Sequence, residues 1–94
     1  MIRKIDTIFE ELIEAIERGF DISSGYYGDY ESSSVHENIE MVIRIYFKPE
    51  RKIRAIVSEL MENIDGHDWS CGALYENDFY SDFVEILERY VNMH

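Results

Sequence analysis

The chain has 94 residues, a length that suits a single compact domain over residues 1–94 with one core. Apolar types make up 46% and aromatics 14%, which excludes a disordered polypeptide, and no apolar run approaches the roughly 18 residues of a membrane helix. Twenty acids against nine bases leave a net charge of −11, beyond the magnitude of about 2–8 that suits a small domain; this disfavours free DNA or RNA as a partner, because phosphate would be repelled, and favours a basic one.

The first predicted element is a helix over Ile2–Arg18. Ile2, Ile5, Ile8, Phe9, Leu12, Ile13 and Ile16 recur at helical spacing, and Gly19 is a stop. Acid follows the first residues almost at once (Met1-Ile2-Arg3-Lys4-Ile5-Asp6), so no cleaved leader is expected. Phe20 to Ser34, rich in Gly, Tyr and Ser, reads as a strand and a long turn. Ile39, Met41, Ile43, Ile45 and Phe47 alternate, which predicts a strand across Ile39–Lys48 with Val42 and Tyr46 on its other face. A second helix is predicted over Pro49–Asp65, with Pro49 at its start and Ile53, Ile56, Val57, Leu60, Met61 and Ile64 as its apolar stripe. Gly66 ends it. His67 to Glu76 reads as a loop with room for a short strand at Trp69 to Tyr75. Asn77 caps a last helix over Asp78–Asn92, striped by Phe79, Phe83, Ile86, Leu87, Tyr90 and Val91. The expected fold class is α+β: a small antiparallel sheet packed with about three α-helices, in the order α-β(β)-α-loop-α. The expected core holds Phe9, Leu12, Ile16, Ile43, Ile45, Ile56, Leu60, Phe83 and Leu87.

Charge is distributed unevenly along the chain. From Ala55 to Glu88 there is no Lys or Arg but nine acids, and Gly19 to Ile43 is likewise free of bases. Five of the nine bases stand in Arg44, Lys48, Arg51, Lys52 and Arg54. The molecule is therefore electrically polar, whereas a domain without a charged partner gains by interspersing the signs. The alternative source of the excess is a host whose proteins are acidic throughout. The basic stretch is read as neutralising acids of the first helix, such as Glu10, Glu14 and Glu17, and not as a phosphate-binding surface.

Catalytic and metal chemistries find little support. Cys71 has His67 nearby in sequence and His36 far away, without a third orienting group, and a lone cysteine is commonly a small buried hydrophobe. It cannot form an internal disulfide, and a reducing cytosol is the expected compartment (the host's, if the chain is phage-encoded). Asp65, His67, Asp68 and Cys71 lack the paired spacing of a structural zinc site, and no calcium-loop or phosphate-loop pattern is present. No enzyme activity, cofactor or metal is expected.

An acidic binding module remains. Asp78, Asp82 and Glu85 stand at i, i+4 and i+7 and share one helix face, with neighbouring Cβ atoms about 5–6 Å apart, comparable to phosphates along a nucleic-acid strand. With Asp65, Asp68 and Glu76 they form a negative ridge, edged by the interface-type aromatics Trp69, Tyr75 and Tyr80. A basic channel made for nucleic acid accepts such a ridge as a decoy.

The segment Glu76-Asn77-Asp78-Phe79-Tyr80-Ser81-Asp82-Phe83 resembles an acidic, aromatic segment of the small acidic anti-CRISPR proteins of phages and mobile elements that inhibit type II RNA-guided nucleases. The expected layout of a leading helix, small sheet and two closing helices is similar to some of that group. The resemblance implies a non-enzymatic inhibitor that mimics nucleic acid, with Asp78, Asp82 and Glu76 in the site that reads the short motif beside the DNA target, where such nucleases aim arginines at guanine edges. The implied partner is the basic groove of a nuclease or other nucleic-acid-binding protein, with neither direct nucleic acid nor membrane contact. A second resemblance links Ser24-Gly25-Tyr26-Tyr27-Gly28-Asp29-Tyr30 to the Tyr-Tyr-Gly-acid run of barstar-type ribonuclease inhibitors and implies an immunity protein against a nuclease toxin. A third reading is a regulatory or structural subunit that forms a homodimer through the Val42/Tyr46 sheet face.

Overall fold

The computed structural model describes residues 4–21, 29–30, 32–67 and 77–91. Its helices are α1 (Lys4–Arg18), α2 (Ser32–Tyr46), α3 (Glu50–Gly66) and α4 (Asn77–Val91). The remaining elements, β1 (Phe20–Asp21) and β2 (Asp29–Tyr30), pair antiparallel with Phe20 opposite Tyr30. Each helix packs on the next and α4 closes on α1, which makes a ring of four around one core. Consecutive helices run antiparallel. Gly19 meets Val35 while Tyr46 reaches back to Glu11, Ser32 meets Asp65 while Arg44 meets Glu50, and His67 meets Phe79 while Glu59 meets Arg89.

The expected α+β class is thereby corrected to an all-helical bundle. Two residues paired with two residues offer no sheet for helices to cover. The predicted strand across Ile39–Lys48 lies almost wholly within α2, which begins at Ser32, inside the segment expected to be a turn. Strand and helix readings share Ile39, Ile43 and Phe47, because a step of four residues fits both periods. The choice falls on Val42 and Tyr46, which a strand would set on its opposite face and which complete a helical stripe with those three and Val35. Val35, Ile39, Val42, Ile43 and Phe47 are buried and Tyr46 is half-buried. Met41 and Ile45, which a strand would have buried, are 62% and 69% exposed. The abundance of β-branched residues weakens helix propensity by only tenths of a kcal/mol per residue, roughly, and burial overrides it. The Val42/Tyr46 face proposed for dimerisation is correspondingly closed, with Val42 in the core and the Tyr46 hydroxyl donating to Glu11.

The other helices lie within two residues of expectation. Of the predicted core, Phe9, Leu12, Ile16, Ile43, Ile56, Leu60, Phe83 and Leu87 are buried, and Ile45 is not. All six stripe residues of α3 are buried. Gly19 is dictated by a close approach, because a Cβ there would stand 2.3 Å from Val35 Cγ2 and 2.9 Å from the Val35 backbone. At the α4 end an edge-on aromatic stack, Phe9 on Tyr80 at 5.0 Å and on Phe83 at 5.9 Å, locks α4 onto α1. Among the described residues no polar or charged side chain is buried, and no helix is long and apolar enough to cross a membrane.

Candidate functional site: an acidic face along the third helix

The apolar stripe of α3 leaves Glu50, Arg54, Ser58, Glu62 and Asp65 exposed on the opposite side, with Glu59 and Asn63 at the border toward α4. The stripe of α4 sends Asp82, Glu85 and Arg89 to the border facing them. Helical periodicity thus brings two acid rows together across one seam. Glu59, Glu62, Asp82 and Glu85 line a shallow groove of about 200 Å³, with Asn63, Ile86 and Arg89 completing its wall. On the other flank of α3 a broader hollow of about 540 Å³ is rimmed by His36, Glu40, Arg54, Glu62 and Asp65 over Val57 and Met61. Glu62 belongs to both.

The carboxylates differ in their surroundings. Glu59 accepts from Arg89 Nη1 at 2.6 Å and from the Tyr90 hydroxyl. The tyrosine hydrogen bond and then the guanidinium hold its carboxyl below the usual range against the opposing cost of burial, and the same contact pushes the Tyr90 phenol up. Arg89 is raised in turn by Glu59, with a smaller contribution from Glu85. Glu62 and Asp82 have no such partner among the described residues. Their charges, with that of Glu85, face outward from one groove.

Of the expected site residues, Asp82 and Glu85 line this groove. Asp78 is exposed one turn earlier, its Oδ2 3.8 Å from His67 Nε2 at the end of α3. Asp65 is exposed and accepts from the Ser32 hydroxyl at 2.9 Å, which joins it to the start of α2. Tyr80 parts from the acidic row, because its ring packs on Phe9 and its hydroxyl donates to Asp6 of α1 at 2.8 Å. Asp68, Trp69, Tyr75 and Glu76 lie outside the described residues, as do Cys71, Tyr26, Tyr27 and the expected strand at Trp69 to Tyr75. Sequence reasoning did not assign Glu59 and Glu62 to the site. Their signal was position: i and i+3 in a base-free stretch, beside a stripe whose partner helix carries its own acids.

Two arginines of the basic stretch find different partners. Arg44 bridges Glu40 at 3.2 Å and Glu50 at 2.5 Å, and Arg54 approaches Glu50 at 3.6 Å. These acids belong to the α2–α3 corner itself, not to α1. Among the described residues no group of three or more His, Cys, Asp or Glu side chains is arranged to hold a metal ion.

No protein-family model matches the chain, and no curated protein and no solved structure does either.

Proposed function

We propose that this chain is a non-enzymatic inhibitor that lays its acidic α3–α4 face into the basic nucleic-acid-binding site of a nuclease, as a mimic of nucleic acid acting in the cytoplasm. The observation that carries the reading is the groove in which Glu62, Asp82 and Glu85 converge from two helices, where Arg89, the one base among the described lining residues, is already paired with Glu59. Concentrating like charge on one face weakens the fold through self-repulsion, so a basic partner that neutralises it gains affinity and a steered encounter. The segment Glu76 to Phe83, which resembles anti-CRISPR proteins, contributes Asp82 to this groove; the sheet-containing layout no longer supports the resemblance, because four helices replace it. The target class that follows is a type II RNA-guided nuclease, engaged where arginines read DNA.

The test titrates the protein against a guide-loaded type II nuclease and measures both complex formation and displacement of a target duplex. Glu62→Lys/Asp82→Lys should weaken binding by at least about thirtyfold per site, given the roughly 2–5 kcal/mol for losing a desolvated charge partner. Glu10→Lys/Glu17→Lys makes the same charge change on α1 and should cost far less. Loss confined to the α1 variant would move the working face to α1. Absence of nuclease binding, with stoichiometric inhibition of a ribonuclease or DNase toxin instead, would replace this target by the immunity-protein one.

A further inference from the structure

A second hollow lies at the end of the bundle where α1 and α3 begin and α4 finishes, and it has the opposite character. It measures about 220 Å³ and is bounded by Lys4, Lys48 and Lys52, with Ile8, Phe47 and Val91 as an apolar floor beside Tyr46. Three of the nine bases of a chain carrying −11 therefore meet around one depression, from two separate parts of the sequence. Two of them stand over ring faces: Lys4 Nζ is 5.8 Å from the Tyr46 centroid and Lys52 Nζ 5.8 Å from that of Phe47. The Tyr46 hydroxyl is turned away to Glu11, which leaves the ring to the hollow and the lysine stems as additional apolar wall.

We propose that this hollow binds a small organic carboxylate, its head among Lys4, Lys48 and Lys52 and its apolar body against Ile8, Phe47 and Val91. Charge selects the head, since three lysines gather around this hollow on a chain that carries −11 overall. Volume selects the body. The space equals the share of about seven water molecules in the liquid, which admits one short acyl chain or one aromatic ring and excludes a two-tailed lipid. The site uses none of the α3–α4 groove residues, so its failure would leave the inhibitor reading untouched.

Sodium octanoate is the probe, titrated at constant ionic strength into isotope-labelled protein while the amide resonances of residues 4, 46–48, 52 and 91 are followed. Acetate supplies the head without the body and 1-hexanol the body without the head, and each should bind at least about tenfold more weakly than octanoate. Lys4→Ala/Lys48→Ala should weaken octanoate by about tenfold or more, while Arg51→Ala/Arg54→Ala, which removes the same charge outside the hollow, should change it less than about twofold. Circular dichroism checks that both variants keep their helices, and the comparison of the three probes on the unmodified chain stands without any variant. Equal binding of acetate and octanoate, equal binding of hexanol and octanoate, equal weakening by the two lysine and arginine pairs, or shifts confined to residues elsewhere would each overturn the proposal.

Discussion

Glu59 ties α3 to the last turn of α4 through one carboxylate that accepts from both Arg89 and Tyr90. The stability it contributes has a defined pH window. Its folded pKa is depressed below the ordinary glutamate value, so the contribution is complete above that value, about 4.3, and is lost as the pH falls through the lower folded one. Tyr90 is the alkaline counterpart. Its folded pKa is raised, so its contribution is complete below about 10 and lost as the pH rises through the folded value. Thermal unfolding of the unmodified protein and of Glu59→Gln, followed from about pH 6 to about pH 3, should therefore diverge: the variant is less stable at the upper end and loses less on acidification. Parallel curves would mean that the carboxylate charge contributes nothing to the fold. Tyr46 and Glu11 repeat the device between α2 and α1, with the phenol pushed up chiefly by the hydrogen bond. None of these pairs was legible in the sequence, because each joins residues about thirty positions apart and depends on which helices become neighbours.

At the scale of elements, legibility followed the purity of the hydrophobic period. The stripes of α1, α3 and α4 fit only the helical period, and their bounds fall within two residues of expectation. In α2 the step of four through Ile39, Ile43 and Phe47 satisfies both periods, and Val35, which carries the element back to its true start, stands among serines that read as a turn. The two readings differ over Ile43 and Ile45, which share a face in a strand but part in this helix. Ile43→Ala should cost about 2–5 kcal/mol in chemical unfolding, as for a buried aliphatic side chain. Ile45→Gln should stay within about 0.5 kcal/mol of neutral, as for an exposed position. Comparable losses at both positions would restore the strand. The acidic site was legible along α4, where Asp82 and Glu85 were expected, and illegible across the seam, because antiparallel packing on α3 is what brings Glu59 and Glu62 opposite them.

Across the whole molecule the charges separate along the α3 axis, lysines around the hollow near its start and carboxylates beside its middle and end. Arg44 and Arg54 of the α2–α3 corner are exposed and already bridged to Glu40 and Glu50, so they do little for the distant acids. The net −11 is then a standing repulsion within the fold. Salt should relieve it: the melting temperature should rise between about 10 mM and about 150 mM sodium chloride as the Debye length shortens from about 30 Å to about 8 Å. The triple change Glu62→Gln/Asp82→Asn/Glu85→Gln should raise the melting temperature at low salt, flatten its salt dependence and remove binding to the basic partner. A melting temperature that falls with salt would mean that the ion pairs at Arg44 and Arg89 outweigh the repulsion. If the triple variant is both more stable and still fully active as an inhibitor, the acidic face has no binding role. Greater stability with lost binding is the outcome expected when a strained face is kept for its partner, since single neutral substitutions could otherwise have removed the strain.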